Sequence, residues 1–426
     1  MLTFSRSTIK RLFIGFAIFI LLLVLLIVLL TAWVDHQHRR DVNQELEAVS
    51  VEQVAVNSDA VDSEAVDSEL ANAGLQDGAE VANHESLNDQ PSNDDSPNES
   101  TSGQSESTSG QSQASIPFKV SVAYTDDYLI NLGGAERAHP FDIKKYKKIH
   151  DALLADDLLT SAATLKSEPI PVEDLLLVHS REYLKSLADR DKLARYLEAP
   201  ILRVLPVSLN KGVLMPFRSA SGGTLLAARS ALKHGIGVNI GGGYHHAKPE
   251  VGEGFCVYAD VPVAIRKLQH ENKIERAIVI DVDVHQGNGT IVCLKDDDST
   301  FTFSMHQAGI YPIPKEQGDL DVELNAGMKD AEYLEILNRN LATILDESKP
   351  DICFVVAGCD TLDGDPLASL AMTEDGIVQR DAAIFAACSL RKIPAVYTTS
   401  GGYSKNAWRA QYESIKNLIK TYGLAK

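Results

Sequence analysis

The sequence has few cysteines, and they follow no pattern that would pair them. All five lie after residue 255, none forms a Cys-x-x-Cys pair, and their number is odd. A disulfide framework or a cysteine-rich structural zinc site needs paired or regularly spaced cysteines. The sequence therefore predicts small, buried side chains at most of these positions.

Positive charge is also missing where nucleic-acid binding would need it. The formal net charge is −19 at pH 7, and residues 41–118 contain seventeen Asp and Glu but no Lys or Arg. Residues 119–426 contain no stripe of basic residues. Nucleic-acid binding depends on clustered Lys and Arg that neutralise phosphates. We therefore expect no nucleic acid among the partners.

One long hydrophobic run lies near the start of the sequence. Leu12–Val34 contains no charged residue, and at about 1.5 Å per residue it can cross a bilayer core of about 30 Å. A secretory signal peptide has a shorter apolar region of about 7–15 residues and a small-residue cleavage site. The run therefore predicts an uncleaved single-pass anchor in the lipid bilayer. Because three Lys or Arg precede the run and two follow it, the positive-inside rule predicts the rest of the chain on the non-cytoplasmic side.

The segment after the hydrophobic run is polar and repetitive. Ala60–Glu64 is echoed by Ala65–Glu69, and the surrounding residues are mainly Ser, Asn, Gln, Asp and Glu. Such a composition buries too little apolar surface to offset chain entropy. The predicted organisation is an anchor at 1–40, a disordered acidic linker at 41–118 and a folded domain at 119–426.

In the predicted folded domain, short apolar runs alternate with helix-like stretches. Continuous Val and Ile runs are typical of strands buried on both faces. The predicted strands are Val120–Ala123, Gly237–Ile240, Ala277–Val282, Phe301–Met305, Ile352–Ala357 and Ala395–Thr398, and the predicted helices are Gly222–Lys233, Val261–Glu271, Asp330–Glu347 and Thr373–Cys388. This alternation predicts an α/β fold with a central, mostly parallel sheet and helices on both faces.

Chemically capable residues directly follow four of these strands. The four segments are Gly241–His246, Asp281–His285, Gly358–Asp360 and Ser400–Tyr403. Sites in open α/β sheets form beyond the carboxyl ends of the strands. We therefore expect the four loops to converge on one crevice.

Asp281, Asp283 and His285 alternate along one strand and so share a face. The residues before them are apolar, and unpaired carboxylates at a buried strand end would be costly. This argues against the alternative of a solvated sheet edge. With Asp360 from another strand, the pattern predicts a divalent-cation site, and three ligands with an open position for water suit catalytic zinc.

The histidine pair and the loop tyrosine are weak signals when taken alone. His245 and His246 follow three glycines, which allow a sharp turn and a close approach to a ligand. Tyr403 follows Gly401-Gly402, and its phenol could donate a hydrogen bond to an oxyanion. In other proteins such residues are more often structural or packing residues.

Six segments in this order resemble the histone deacetylase family, most closely its class IV branch, from about Val120 to the end of the sequence. They are His139–Phe141, Gly241–His246, Gly254–Cys256, Asp281–Gly289, Gly358–Pro366 and Ser400–Tyr403. The resemblance implies an arginase/deacetylase-like three-layer fold. It also implies zinc-dependent hydrolysis of an N-acyl amide, acetyl or longer, on an acylated lysine, peptide or polyamine.

The resemblance implies metal-binding roles for particular residues. Asp283, His285 and Asp360 would bind Zn²⁺. A structural K⁺ or Na⁺ would involve Asp281, Asp283, His285 and Ser304.

It also implies catalytic roles. Asp281 would hold His245, which would assist electrostatically. His246 would act as general base and then general acid, and Tyr403 would stabilise the oxyanion. Asn288 stands where many members have an aspartate beside the second histidine, which would make His246 less basic.

For substrate binding, the resemblance implies a tunnel for the acyl-lysine stem, lined by Gly254 and Phe255 with Tyr311 opposite. An acetylpolyamine or another small amide is the alternative substrate. A membrane-tethered, non-catalytic acyl-lysine-binding module is an alternative of another class, but it would be expected to lack Asp360, His246 or Tyr403. A manganese ureohydrolase would need more carboxylates than this sequence offers.

Overall fold

The computed structural model describes residues 19–49 and 118–425, and these two parts belong to one compact unit. The first residues of the predicted anchor and residues 50–117 of the predicted linker lie outside the described residues.

Eight parallel strands form one sheet in the described part of the chain, in the spatial order β2-β1-β3-β8-β7-β4-β5-β6. The strands are β1 Lys119–Ala123, β2 Thr164–Leu165, β3 Gly235–Asn239, β4 Ala277–Asp281, β5 Thr300–Gln307, β6 Leu320–Leu324, β7 Ile352–Val356 and β8 Ala395–Thr398. The six predicted strands are all present. Two strands that the sequence did not indicate, β2 and β6, lie at the two edges of the sheet. Their residues are less buried than those of the central strands, so their apolar pattern is weaker.

Helices cover both faces of the sheet. They are α1 Phe19–Val49, α2 Lys145–Ala155, α3 Val172–Leu175, α4 Arg181–Ser186, α5 Arg190–Tyr196, α6 Met215–His234, α7 Asp260–His270, α8 Asn288–Leu294, α9 Asp330–Ser348, α10 Glu374–Leu390 and α11 Ala407–Tyr422. Side chains on a strand point alternately to opposite faces. Ile278 and Ile280 of β4 accordingly join a core with α9, α10 and α11, whereas Ala277 and Val279 join a second core with α6 and α7. The predicted three-layer α/β fold is confirmed.

Helix α1 ends at Val49, nine residues beyond the predicted end of the anchor region at residue 40. Its second half carries a narrow buried stripe, with Val34, His38, Val42, Leu46 and Val49 each at most 8% exposed. These positions are three or four residues apart, so they lie on one face of a helix. Three of them, Val42, Leu46 and Val49, belong to the core that contains α6 and α7. Residues 41–49 therefore pack against the folded domain.

A fully buried arginine joins the two strands that carry the predicted metal ligands. Nη1 of Arg380 donates to the carbonyl oxygens of Val282 (3.0 Å) and Gly358 (2.7 Å), which follow β4 and β7. Its Nε donates to Asp381 at 2.8 Å, and neither charged side chain is exposed to solvent. The buried ion pair therefore holds the two strand ends in register.

We expect Arg380→Leu to lower the free energy of unfolding by about 3–5 kcal/mol, because Asp381 would stay buried without its counter-charge. Arg339→Leu is the matched control, since Arg339 pairs with Glu335 on the solvent-exposed face of α9 and such pairs contribute about 0.5 kcal/mol or less. Urea denaturation of the purified full-length chain measures both. Equal losses in the two variants would contradict the structural role of Arg380.

Candidate functional site

The four predicted loops meet at one edge of the sheet. They follow β3, β8, β7 and β4, which are neighbours in that order. All four strands are parallel, so their carboxyl ends lie together. The predicted crevice is therefore present.

Asp283, His285 and Asp360 form a compact buried group at this edge. Each offers one ligand atom, and these atoms lie within 4.8 Å of one another. Nδ1 of His285 is 3.2 Å from Oδ1 of Asp283 and 3.2 Å from Oδ2 of Asp360. The other carboxylate oxygens orient the two acids, because Oδ2 of Asp283 accepts from the backbone N–H of Gly401 (2.9 Å) and Oδ1 of Asp360 from that of Val284 (2.9 Å).

The electrostatics of this group favour a bound cation. Burial, then the negative charge of Asp283, raises the pKa of Asp360 to about 7. Burial lowers the pKa of His285, but hydrogen bonds to the two carboxylates outweigh it and bring that pKa to about 10. The two buried carboxylates thus hold a positive charge beside them, here the protonated imidazole of His285, and a bound cation could take that role. This donor set fits a divalent ion such as Zn²⁺ with a position left open for water.

The histidine pair stands beside this group, each ring held through Nδ1. Nδ1 of His245 lies 2.8 Å from Oδ2 of Asp281, and Nδ1 of His246 lies 2.7 Å from Oδ1 of Asn288. The two ring centroids are 4.0 Å apart. An amide oxygen only accepts hydrogen bonds, so Nδ1 of His246 carries its proton and Nε2 is left to accept one.

The two histidines have opposite pKa shifts. Burial lowers the pKa of His245, but the charges of Asp281 and Asp283 outweigh it and raise that pKa to about 9. Burial, then the charges of His245 and His285, lowers the pKa of His246 well below its usual value. At neutral pH the first imidazole is therefore charged and the second is neutral.

Tyr403 completes the site from the loop after β8. Its ring centroid lies 6.4 Å from that of His285 and 6.0 Å from that of Phe255. Its backbone N–H donates to Asp365 at 2.8 Å, which fixes the loop. Burial, then the charge of Asp360, raises the pKa of Tyr403 well above its usual value. The phenol therefore stays protonated and able to donate.

A mostly apolar cavity of about 270 Å³ reaches this site from the surface. Its walls include both histidines, Gly254, Phe255 and Tyr403. A Cβ at Gly254, where φ is +54°, would collide with the ring of His246, so only glycine fits this wall. Tyr311 borders the site beside the cavity, with its ring centroid 4.9 Å from that of His246.

Comparisons with known proteins agree with this geometry. The family model described as the histone deacetylase domain matches residues 139–419. Histone deacetylase 2 of Arabidopsis thaliana is 38% identical over 306 residues, which cover 71% of this chain and 79% of that protein. The chain belongs to the histone deacetylase family.

More distant relatives share the same domain and fold. The acetoin utilization protein AcuC of Staphylococcus aureus is 27% identical over 293 residues, which cover 64% of this chain and 74% of that protein. The crystal structure of an HDAC homolog from Aquifex aeolicus has a TM-score of 0.57 at 23% identity and covers 72% of this chain and 85% of that one. The predicted family and fold are thereby confirmed, and the class IV branch stays a prediction.

Histone deacetylase membership makes the chain a deacetylase-type hydrolase. Nearly all the residues predicted for the site come together in the structure, including the Asp283–His285–Asp360 group, the histidine pair and Asn288. Ser304 of β5 is paired in register with Asp281 of β4. Its hydroxyl lies 2.9 Å from Nδ1 of His306. The binding of a monovalent cation by Ser304 and its neighbours stays a prediction.

Two residues at the site carried no signal in the sequence. Lys145 of α2 is 1% exposed. Its Nζ donates to the carbonyl oxygens of Ser400 (2.6 Å) and Gly401 (2.8 Å), in the loop that carries Tyr403. It lies among other lysines in the sequence, which is typical of a solvated face. Glu253 accepts a hydrogen bond from Nδ2 of Asn288. The carboxylate of Glu253 thus contacts Asn288, the residue that holds His246, rather than His246 itself.

We expect Asp283→Asn and Asp360→Asn each to abolish tight zinc binding and hydrolysis. Each variant removes one of the two carboxylates among the three candidate ligands. Asp363→Asn is the control, since that aspartate is exposed and close to Asp360 in sequence. Elemental analysis of the purified proteins and an amide-hydrolysis assay test both effects. Full zinc content with normal turnover in either variant would refute the ligand assignment.

In a Glu253→Gln background, we expect Asn288→Asp to raise the pKa of His246, because a negative charge replaces a neutral partner and has no neighbouring carboxylate with which to share a proton. If His246 is the base, the acidic limb of kcat/KM should move to higher pH, with zinc content unchanged. Asn288→Ala is the control and should move the limb less. An unchanged profile in Asn288→Asp would mean that the limb belongs to another group.

Proposed function

We propose that the protein is a zinc-dependent deacylase that hydrolyses an N-acyl amide such as acyl-lysine. The observation that carries the proposal is the buried Asp283–His285–Asp360 group, beside a neutral His246 and a protonated Tyr403 at the inner end of an apolar cavity. An amide hydrolase needs a nucleophile, a proton acceptor and an oxyanion donor. These residues can provide or hold all three.

Asp283, His285 and Asp360 would hold the zinc ion. When bound, Zn²⁺ supplies a Lewis acid for the carbonyl and lowers the pKa of a water molecule to about 7. The remaining chemistry belongs to side chains of this protein.

His246 is suited to move the proton. Its neutral ring can accept a proton at Nε2, while Asn288 holds Nδ1 and so fixes the orientation of the ring. The same nitrogen can then deliver the proton to the leaving amine. The charged His245, held by Asp281, adds electrostatic stabilisation to negative charge that develops nearby.

Tyr403 is suited to stabilise the oxyanion of the tetrahedral intermediate. Its raised pKa keeps the hydroxyl protonated, and its loop is fixed by Asp365. A donor already in place costs no reorganisation during the reaction, and such donors contribute about two to three orders of magnitude to kcat.

The shape and chemistry of the cavity support a slender acyl-amine substrate. Phe255 and Gly254 form one wall close to the histidine pair, where the stem of a lysine or polyamine would pass. Glu198, which is exposed, also lines the cavity. This carboxylate supports an acetylated polyamine, whose remaining amines are cationic, as the second candidate.

The decisive experiment is a substrate panel with the purified full-length protein. It compares acetyl-lysine peptides, longer acyl-lysine peptides and acetylpolyamines at equal concentrations, with and without a chelator that removes zinc. We expect chelator-sensitive hydrolysis of at least one class. Tight binding of an acyl-lysine peptide without hydrolysis of any substrate would favour the non-catalytic binding module instead.

We expect Tyr403→Phe to lower kcat on the best substrate by about two to three orders of magnitude, because the oxyanion loses its donor. Metal content should stay unchanged. Tyr422→Phe is the matched control, since Tyr422 lies at the end of α11 and does not line the cavity. A loss of less than about fivefold would make Tyr403 a packing residue.

We also propose that α1 anchors the protein in a lipid bilayer. The helix has 31 residues and is long and apolar enough to span a membrane. Its first twelve residues expose large apolar side chains, such as Leu21 (67%) and Leu26 (61%). Bilayer contact would remove this surface from water. The predicted non-cytoplasmic position of the catalytic domain stays an expectation.

A further inference from the structure

Helix α1 has two halves with different environments. Phe19–Leu30 is exposed along its length, whereas the stripe that begins at Val34 is buried against the folded domain. Four polar contacts reinforce the buried half, one of them from Nη1 of Arg181 to the carbonyl oxygen of Leu46 at 2.7 Å. His38 lies 2.9 Å from the carbonyl oxygen of Leu187, and Glu45 forms an ion pair with Arg218 at 2.7 Å. Helix α1 is therefore continuous from the exposed apolar residues to the docked half, and it leaves the surface of the domain close to Val34.

The fourth contact joins the start of the buried half of α1 to a loop beside the active-site cavity. Asp35, the first charged residue after the apolar run, lies 3.5 Å from Nε of Arg190. The same guanidinium donates to the carbonyl oxygens of Leu202 and Leu205 (3.0 Å), and to that of Val207 (3.1 Å). One buried arginine thus holds the 202–207 backbone next to the start of the docked half of α1.

The chain that leads into this backbone exposes apolar side chains, and part of it lines the cavity. Ile201 is 43% exposed and Val204 is 60% exposed. Residues 199–202 form part of the cavity wall, whereas Val204 does not. We call residues 199–204 the rim segment. The rim segment therefore lies both beside the cavity and beside the point where α1 leaves the domain.

We propose that the rim segment contacts the surface of a lipid bilayer and that the cavity accepts amides presented at that surface. This inference rests on the proposed membrane anchoring of α1. If Leu30 and the residues before it lie in the bilayer core, then Asp35 lies near the headgroups. Arg190 places the rim segment at the same level, where apolar side chains insert about 5–10 Å into the interface. The docked helix keeps this orientation, because its stripe is part of the core of the domain.

The other face of the sheet offers a matched reference residue. Leu390, at the end of α10, is 82% exposed. Helix α10 packs on the core opposite to the one that contains the α1 stripe. Leu390 is therefore apolar and exposed like Val204, but it lies on the side of the domain away from α1.

Tryptophan quenching by phosphatidylcholine brominated near the headgroup end of its chains tests the bilayer contact. The full-length chain in such vesicles is compared with Trp33→Phe, which reports whether α1 is inserted. Val204→Trp and Leu390→Trp are then made in the Trp33→Phe background. Trp408 is present in every variant and contributes the same background fluorescence to each. We expect quenching in Val204→Trp well above that in Leu390→Trp.

The outcomes separate the two proposals. If the wild type is quenched more than Trp33→Phe but Val204→Trp and Leu390→Trp do not differ, α1 is anchored and the rim inference is wrong. If Trp33 is not quenched, the anchoring proposal fails and the rim inference fails with it. Hydrolysis of a soluble substrate, measured on the same samples, reports on the deacylase proposal independently.

The substrate consequence is tested with one acyl-lysine peptide in two forms, soluble and linked to a lipid in the same vesicles. We expect kcat/KM to be about tenfold or more higher for the lipid-linked form, because the membrane raises its local concentration at the cavity. Val204→Asp should reduce this preference, since a charge at the interface disfavours insertion, and leave hydrolysis of the soluble peptide unchanged. Leu390→Asp is the control. An equal preference in both variants and the wild type would overturn the assigned role of the rim segment.

Discussion

The structure of the site depends on one electrostatic constraint, which is the burial of two carboxylates opposite a single imidazole. Asp283 and Asp360 are each at most 1% exposed, and they come from loops after different strands. Their mutual repulsion is offset by the protonated imidazole of His285 and by the backbone groups that hold each carboxylate, and a bound cation would offset it further. Much of the surrounding architecture serves this requirement. Arg380 joins the two strand ends, and backbone N–H groups bind an oxygen of each carboxylate.

The same constraint sets the electrostatics of the neighbouring histidines. His245 faces Asp281 and is charged, whereas His246 faces the neutral Asn288 and is uncharged. The two adjacent imidazoles thus differ in protonation, because carboxylates offset the burial of His245, whereas burial and the charges of His245 and His285 keep His246 neutral. Glu253 lies behind that amide. In the proposed mechanism the neutral imidazole would accept the proton, and the adjacent positive charge would stabilise developing negative charge.

Helix α1 connects this chemistry to the proposed membrane location. A flexible tether alone would let the enzyme tumble above the bilayer, and its cavity could face any direction. The packed stripe on α1 and the Asp35–Arg190 pair instead hold the helix and the domain in one orientation. The substrate preference of such an enzyme would then depend on what the membrane surface presents to the cavity as well as on the cavity walls.

The sequence by itself determined the family, the alternation of strands and helices, and the candidate metal ligands. It could do so because these features are local. Apolar runs mark buried strands, and Asp281, Asp283 and His285 alternate within five residues that begin at the last residue of β4. The order of the strands, the contact of Lys145 with the loop after β8, and the position of Glu253 behind Asn288 were decided only by the tertiary structure. These contacts join residues far apart in the chain, and no periodicity records them. The docked half of α1 is an intermediate case, because Val34, Val42, Leu46 and Val49 do follow a helical period. The polar residues between them hid a stripe whose burial depends on a partner surface that only the fold creates.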